Sequence, residues 1–466
     1  MARQFIVEPQ VVGDVNVGTD GKDTSVYLGR LAETGPVRRL FFRASQEFVA
    51  LIVGKRGSGK SYTLGALLEG LATTKNEATI ASHKKRRAVL LLDPMGNFWT
   101  TALLVRPDGP EKVRKQWASL GGWDCKPDDV NVSVWLPAGF KTPNDPPDVR
   151  EFSIRIADLS DADIADLIGV NLVKDPQGAA LTEAFLAVTE EGWQGDSGRV
   201  RPTKDYNFDN LIQYLEYLRD RLSGGDHHLS TLRALLRSLK ALCRRPTFSG
   251  DGTPLTELLA LGHLSVLMLP LRVGEDLRRV VTRLLMRRIL REREEASQIK
   301  QRLDVESHTA EEKQRLEDEL AHRIPGTVLA LDEAQELLGD DAGEARRALE
   351  NFCLLGRNYG LSLIMATQRP TASAISNRVR SQVDLQLIHR LLTQEDIDVA
   401  RSNLLGVYPS EVRLGNRDLD FPQLMRSLDR GEVVVSASHA EGHERIPRIL
   451  IARVRPRITV HGGEVE

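Results

Sequence analysis

The chain has 466 residues, and its 63 Lys or Arg against 65 Asp or Glu give a formal net charge of −2, which excludes overall basicity as a basis for nucleic-acid binding. Three widely spaced cysteines offer neither a disulfide framework nor a Cys-based zinc site, and no apolar stretch approaches the ~18 residues of a membrane-spanning helix. We therefore expect a cytoplasmic, multidomain globular protein without membrane insertion.

The N-terminal region contains short β-type runs separated by turn residues. The runs are Phe5–Val7, Val11–Val12, Ser25–Leu28 and Leu40–Phe42. This pattern predicts a small, partly barrel-like β subdomain over residues 1–45, ahead of the main core.

A glycine-rich stretch follows the apolar run Val49–Val53 and precedes the helix-forming segment Tyr62–Leu71. It reads Gly54, Lys55, Arg56, Gly57, Ser58, Gly59, Lys60 and Ser61. A strand, a glycine-rich turn and a helix in this order are typical of a phosphate-binding loop, whose backbone N–H groups point at phosphate oxygens. We expect the residues from Gly54 to Tyr62 to bind a nucleotide, with Lys60 on its β- and γ-phosphates and Ser61 on Mg²⁺.

More apolar runs follow along the chain, and each ends at a polar or turn residue. They cover residues 88–92, 264–269, 328–331, 361–367 and 383–388. Continuous apolar runs separated by helical segments indicate strands that are buried on both faces. We therefore predict an α/β fold with a mostly parallel sheet.

The span between the second and third core strands is too long for one crossover, and much of it has helical periodicity. We predict a mostly helical insertion over residues 106–262, between two parts of the core at 46–105 and 263–440. Candidate helices of the insertion are Asp161–Ile168, Leu181–Thr189, Phe208–Leu218, Leu229–Cys243 and Leu255–Leu261. The densely charged residues 291–323 predict a helical arm within the second part of the core, and residues 441–466 predict a C-terminal strand and tail.

Two adjacent acids end the apolar run Val328–Leu331. A phosphate loop needs a carboxylate from a neighbouring strand for its magnesium, and hydrolysis needs a group that orients water. We expect Asp332 to hold the metal and Glu333 to polarise the attacking water. An apolar strand that simply ends in two solvated acids is the alternative.

Gln368 ends another apolar run, and Arg357 lies in the segment just before that run. The adjacent parallel strand would bring the Gln368 amide to the same edge of the sheet, where it could sense the γ-phosphate; a buried amide that caps the strand is the alternative. Arg357 could reach the nucleotide of a neighbouring subunit as an arginine finger. A helix-terminal cation favoured by the macrodipole is the alternative for Arg357.

The predicted helix Leu229–Cys243 has an apolar face and a basic face. The basic positions are Arg233, Arg237, Lys240 and Arg244. Such a row of cations could follow DNA phosphates without sequence preference, and an ordinary solvated or acid-paired face explains it equally well.

Taken together, five motifs in this order resemble the HerA-like, FtsK-related ring ATPases. The motifs are GKRGSGKS at 54–61, DPMG at 93–96, LDEAQ at 331–335, GRNYG at 356–360 and ATQRP at 366–370. The resemblance implies a RecA-like P-loop core, ATP and Mg²⁺ as ligands, and a homohexamer with nucleotide at its subunit interfaces. It also implies catalytic roles for Lys60, Glu333 and Gln368, with Arg357 acting in trans. Asp93 receives little weight, because Met95 and Asn97 stand where family members often carry a histidine and an acid.

The function implied by this resemblance is a DNA translocase that works with a nuclease or other effector in DNA repair or phage defence. Two alternatives stay open. One is a nucleotide-gated hexameric scaffold for an effector enzyme, and the other is a conjugation- or secretion-type motor.

Overall fold

The computed structural model describes residues 3–195, 198–221, 228–338, 343–370, 375–440 and 448–463. The chain forms two compact units. Unit 1 comprises Met1–Val134, Leu255–Pro270 and Leu285–Glu466, and unit 2 comprises Trp135–Pro254 and Leu271–Leu284.

The strands are numbered in chain order. They are β1 Phe5–Glu8, β2 Val15–Gly18, β3 Thr24–Leu31, β4 Arg39–Arg43, β5 Val49–Val53, β6 Glu77–Ala78, β7 Ala81–His83, β8 Ala88–Asp93, β9 Asn131–Pro137, β10 Arg150–Phe152, β11 Ile154–Arg155, β12 Trp193–Gly195, β13 Gly198–Val200, β14 Phe248–Ser249, β15 His263–Met268, β16 Thr327–Leu331, β17 Leu361–Thr367, β18 Leu385–Ile388, β19 Glu411–Leu414, β20 Arg417–Asp418, β21 Glu432–Ala437 and β22 Leu450–Val454.

The α-helices are numbered in the same way. They are α1 Lys60–Ala72, α2 Glu111–Ser119, α3 Asp161–Ile168, α4 Pro176–Leu186, α5 Phe208–Asp220, α6 Leu229–Cys243, α7 Leu255–Leu258, α8 Glu275–Val305, α9 Ala310–Ala321, α10 Ala334–Leu338, α11 Glu344–Gly356, α12 Asn377–Arg380, α13 Gln394–Ser402 and α14 Phe421–Ser427.

One large, mostly parallel sheet organises unit 1, and this confirms the predicted α/β fold. Its strands run in the order β15-β8-β16-β17-β5-β18-β21-β22-β3-β4-β2. The strands from β15 to β18 are parallel to one another, and β21 and β22 continue the sheet in antiparallel fashion. All residues of β5, β8, β16 and β17 are buried, as expected for strands covered on both faces.

The N-terminal strands are continuous with this sheet. β3 pairs antiparallel with β22, β4 pairs with β3, and β2 pairs with β4. Helix α1 packs against β3 as well as against the central strands. Gly70 permits this close approach, because a Cβ at that position would overlap the side chain of Val26.

Unit 2 is mostly helical. Its helices α3 and α6 coincide with the predicted Asp161–Ile168 and Leu229–Cys243, and α5 starts at Phe208 as predicted. The apolar stripe of α6 is buried, and α6 packs against α4 and α5. Within the described residues, no helix combines the length and apolar character needed to cross a membrane.

Candidate nucleotide-binding site

The phosphate loop, Gly54–Ser61, connects β5 to α1. Gly57 and Gly59 adopt φ angles of +77° and +111°, a left-handed conformation that side chains other than glycine rarely take. Gly59 is also the N-cap of α1 and has no side chain, so the capping residue itself satisfies none of the backbone N–H groups of the first turn. This is the arrangement in which a loop and a helix N-terminus bind phosphate.

His389, the residue that follows β18, packs against the phosphate loop. A Cβ on Gly54 would lie 2.6 Å from the His389 Cβ, so glycine is required for this contact. The His389 Nε2 lies 2.9 Å from the hydroxyl of Thr63 on α1. Burial, followed by the charge of Lys60, lowers the pKa of His389 to about 3. A neutral imidazole therefore joins the loop and its helix, a role that sequence analysis missed.

Lys60 points toward the acids that follow β16. Its Nζ lies 3.8 Å from Oε1 of Glu333 and 3.4 Å from the carbonyl oxygen of Lys55. The side chain is only 4% exposed, and burial lowers its pKa despite the nearby Glu333 and Asp332 carboxylates. The sequence-predicted pair of Lys60 and Glu333 is thus brought together at one point of the sheet edge.

Asp332 faces Ser61 across the same edge. The Ser61 Oγ lies 3.4 Å from Oδ1 of Asp332, whose side chain is buried. Burial, and then the neighbouring charges of Asp93 and Glu333, raise the pKa of Asp332 to about 8. An accumulation of buried negative charge beside a hydroxyl is a favourable environment for a divalent cation.

Asp93 ends β8, the strand next to β16, but its carboxylate mainly accepts hydrogen bonds from the turn that follows it. Backbone N–H groups of Met95, Gly96 and Phe98 donate to its oxygens at 2.7–3.1 Å. Burial nevertheless raises its pKa to about 6. Asp93 therefore contributes negative charge near Asp332 and organises the turn that follows β8.

The Glu333 carboxylate is held at both oxygens. Gln368 Nε2 donates to Oε1 and Gln335 Nε2 donates to Oε2, each at 2.7 Å. Thr367 in turn donates its hydroxyl to Oε1 of Gln335 at 2.8 Å. Glu333 itself has a φ of +43°, a strained backbone for a side chain of this size. Gln368 thus contacts Glu333 at the sheet edge, and Gln335 also holds the Glu333 carboxylate.

Arg357 lies away from the phosphate loop of its own chain. Its guanidinium forms an ion pair with Asp384 at 2.9 Å, and Asp384 also accepts from the backbone N–H of Val49. Val49 begins β5 and the phosphate loop follows the end of that strand, so the two sites are separated by roughly 13 Å of extended chain. Arg357 therefore does not join the phosphate loop of its own chain.

One arginine that sequence analysis missed does contact the loop. Arg430 lies just before β21, and its Nε donates to the carbonyl oxygen of Gly57 at 3.2 Å. The Arg430 side chain is exposed, as are Lys55 and Arg56 of the loop itself. No sequence pattern around Arg430 distinguishes it from other surface arginines.

The donors at this site fit magnesium. Ser61 and Asp332 provide a hydroxyl and a carboxylate, the hard oxygen ligands that Mg²⁺ prefers. Within the described ranges, no group of three or more His, Cys, Asp or Glu side chains could hold a metal ion. A magnesium ion at Ser61 and Asp332 would therefore depend on phosphate oxygens and water for its remaining ligands, as at other phosphate loops.

A phosphate loop on a mostly parallel sheet, with an acid pair at the end of a neighbouring core strand, defines a P-loop nucleoside triphosphatase. The family model described as "Helicase HerA, central domain" matches residues 49–289, just over half of the chain. The chain belongs to this family of HerA-type P-loop ATPases.

One solved structure supports this fold, and a second aligns less closely. VirB4 of Thermoanaerobacter pseudethanolicus aligns with a TM-score of 0.50 and 15% identity, over 94% of this chain and 98% of that chain. The plasmid coupling protein TrwB, in complex with ADP and Mg²⁺, aligns with a TM-score of 0.45 and 14% identity, over 90% of each chain. No match was found among curated proteins.

Proposed function

We propose that this protein hydrolyses ATP as a ring of identical copies and uses the hydrolysis to move along DNA. The observation that carries the proposal is the position of Glu333. Its carboxylate lies 3.8 Å from the loop lysine, Lys60, and 2.7 Å from the Gln368 amide, next to the buried Asp332. A base, a phosphate-binding cation and an amide thus converge where a terminal phosphate and its attacking water belong.

Each residue has a role that its chemistry supports. Lys60 stabilises negative charge on the transferring phosphoryl group, and Glu333 orients the attacking water and accepts its proton. Ser61 and Asp332 would hold Mg²⁺. When bound, the ion would neutralise part of the phosphate charge. Gln368 positions Glu333 through the hydrogen bond to Oε1.

An exposed apolar and cationic patch supports assembly of the ring. Leu354 and Leu355, near the end of α11, are 41% and 43% exposed, and the adjacent Arg357 is 56% exposed. An arginine finger needs such a position, because it has to leave its own subunit to reach the nucleotide of the next. In our proposal Arg357 breaks its ion pair with Asp384 when two copies associate, and it then pairs with the phosphates bound by the other copy.

The basic face of α6 supports DNA as the track. Arg233, Arg237 and Arg244 are exposed, and Lys240 pairs with Glu216 at 2.7 Å. Exposed cations at helical spacing suit sequence-independent contacts to phosphates, which weaken as salt is raised. The membership in the HerA family also supports a nuclease or another effector as a partner of the ring.

A nucleotide-gated scaffold is the second candidate. Two glutamine amides occupy both oxygens of Glu333. In the motor Gln368 orients this carboxylate, whereas in the scaffold the same two hydrogen bonds keep the carboxylate occupied and slow hydrolysis. In such a protein ATP binding, rather than rapid hydrolysis, would control the attachment of an effector.

The decisive experiment compares ATP hydrolysis with and without duplex DNA, together with the particle mass in the presence of ATP. A motor is expected to form a multimer whose hydrolysis rate rises several-fold with DNA and returns to background in Lys60→Ala. Reversal of the α6 charges in Arg233→Glu/Arg237→Glu should abolish the stimulation, whereas Lys115→Glu on α2 should retain it. A DNA-independent rate in a stable multimer would favour the scaffold, and a monomer under all conditions would exclude both.

A further inference from the structure

A turn before β21 packs directly against the phosphate loop. It consists of residues 429–431 and is here called the β21 turn. Strand β21 is antiparallel to β18, and β18 is parallel to β5, so β21 begins at the edge of the sheet where β5 ends and the loop starts. Arg430 Nε donates to the Gly57 carbonyl oxygen at 3.2 Å, and the N–H of Gly431 approaches the Ser58 carbonyl oxygen to 3.5 Å. The turn therefore contacts two consecutive residues of the loop.

A buried carboxylate fixes the β21 turn in place. Glu432 follows the turn, and its side chain is only 3% exposed. It accepts from the backbone N–H of Asp429 at 2.9 Å, which closes the turn. It also accepts from Arg3 Nε and pairs with Arg453, each at 3.1 Å. The backbone that carries Arg430 is thus held against the loop, while the Arg430 side chain is exposed.

The contact with Gly57 places the Arg430 guanidinium outside the phosphate cavity. A phosphate loop directs its backbone N–H groups inward at the phosphate oxygens, so its carbonyl oxygens face mainly outward. A guanidinium that binds the Gly57 carbonyl oxygen therefore lies on the outer rim of the loop, beside the phosphates rather than among them. This position suits a contact with the part of a nucleotide that extends beyond the loop.

Arg430 also lies on the side of the loop away from the hydrolytic residues. Glu333 and Gln368 follow β16 and β17, which lie on one side of β5, whereas β18 and β21 lie on the other side. A nucleotide with its terminal phosphate toward Glu333 directs its nucleoside toward β18 and β21. We propose that Arg430 forms one wall of a nucleoside subsite, where its guanidinium stacks on the base; this inference rests on the proposed binding of ATP.

The segment that follows β18 provides further contacts on this side of the loop. The carbonyl oxygen of Arg390 accepts from the N–H of Lys55 in the loop at 3.1 Å. The carbonyl oxygen of Leu392 accepts from Arg426 of α14 at 3.4 Å, yet the Leu392 residue is 42% exposed. Because β18 pairs with β21, this segment and the β21 turn leave neighbouring strands at the same edge of the sheet. Leu392 thus adds exposed apolar surface where the nucleoside is expected.

The chemistry of arginine suits this role. The guanidinium is planar, delocalised and more weakly hydrated than an ammonium group, and it stacks on aromatic faces. Every nucleobase has a π-face, so such stacking tolerates different bases. The subsite should therefore favour ATP and GTP over inorganic tripolyphosphate to a similar degree.

The test is equilibrium binding of ATP and of inorganic tripolyphosphate, each with Mg²⁺. Arg430→Ala should weaken ATP binding about tenfold and leave tripolyphosphate binding within about twofold. Arg430→Tyr, which keeps a planar group without the charge, should retain ATP affinity within about threefold, whereas Arg430→Lys, which keeps the charge without the plane, should lose at least about fivefold. Arg417→Ala removes an exposed arginine of β20, in the separate sheet β1-β19-β20, and is the matched control that should bind both ligands as the wild type does.

The outcomes separate the subsite from the proposed function itself. If the wild type binds neither ligand, the ATP site fails as a whole. If the wild type binds ATP and Arg430→Ala binds it equally well, the subsite is wrong while the ATP site stands. Equal losses of ATP and tripolyphosphate in Arg430→Ala would make Arg430 a phosphate ligand. Full ATP affinity in Arg430→Lys together with a loss in Arg430→Tyr would make it a contact of charge alone, and either result would overturn the inference.

Discussion

Gln368 and Glu333 are joined by a hydrogen bond of 2.7 Å from the amide Nε2 to Oε1 of the carboxylate. The two residues follow adjacent parallel strands, so a movement of β17 relative to β16 changes this contact directly. In the proposed mechanism a change at the terminal phosphate would reach β17 through the Gln368 amide, and through Gln335 to Thr367. Small local shifts of this kind are the usual start of larger conformational steps in nucleotide-driven proteins.

Replacing Glu333 by Gln should leave ATP bound and largely unhydrolysed. The amide keeps the size of the side chain but cannot accept a proton, and loss of a general base costs about 10²–10⁴-fold in rate. We expect ATP affinity to stay within about threefold, measured by equilibrium binding beside single-turnover hydrolysis. Glu336→Gln changes an exposed acid on α10 and should hydrolyse ATP normally. Rapid turnover in Glu333→Gln would remove this residue from the mechanism.

Removal of the Gln368 amide tests its positioning role. Gln368→Ala leaves Gln335 as the one amide on Glu333 within the described residues, so kcat should fall about 10–100-fold while KM for ATP changes little. Gln382→Ala, near the amino-terminal end of β18, is the control and should match the wild type. An equal loss in kcat and in nucleotide affinity would show that Gln368 binds substrate rather than orienting the base.

The sequence predicted the site where a local pattern specifies it. The sequence predicts a shared sheet edge for Asp332 and Gln368 because each follows an apolar run, and residues that follow parallel strands meet at one edge. His389 obeys the same rule after β18, and applying the rule to every strand would have found it. The pairing of β3 with β22 and the ion pairs of Glu69 could not be found in this way. They join residues about 400 positions apart, and no local periodicity encodes such contacts.

Arg357 should act across a subunit interface if the ring model is right. Its ion pair with Asp384 keeps it away from the loop of its own chain, so Arg357→Ala and Lys60→Ala damage different parts of a shared site. Each variant alone should be inactive, and a mixture should recover part of the wild-type hydrolysis because some interfaces contain two intact halves. Titration of one variant against the other measures this recovery, and a mixture that stays inactive at every ratio would contradict action in trans.

The buried His389 should make stability depend on pH. Its folded-state pKa of about 3 lies below the unfolded value near 6.5, so between these values the unfolded chain binds a proton that the folded protein does not. Stability contributed by this group is therefore complete above about pH 6.5 and is lost as the pH falls. His389→Asn should flatten the curve by about 1.4 kcal/mol per pH unit between pH 6 and pH 4. Urea unfolding of both proteins across this range measures the difference, and parallel curves would contradict the assignment.

The ion pairs of Glu69 with Arg455 and Arg457, here called the Glu69 cluster, should dominate the attachment of residues 455–463 to α1. Glu69→Gln leaves the Arg455 and Arg457 guanidinium groups buried without a counter-charge, and breaking a buried ion pair from one side costs about 3–5 kcal/mol. Glu111→Gln removes an exposed partner of Lys115, where solvent screens the pair, and should leave the free energy of unfolding nearly unchanged. Denaturant unfolding distinguishes the two substitutions, which make the same chemical change. Equal effects would mean that water reaches the cluster and that the segment is held by other contacts. A large loss confined to Glu69→Gln would show that this segment depends on charges buried along α1.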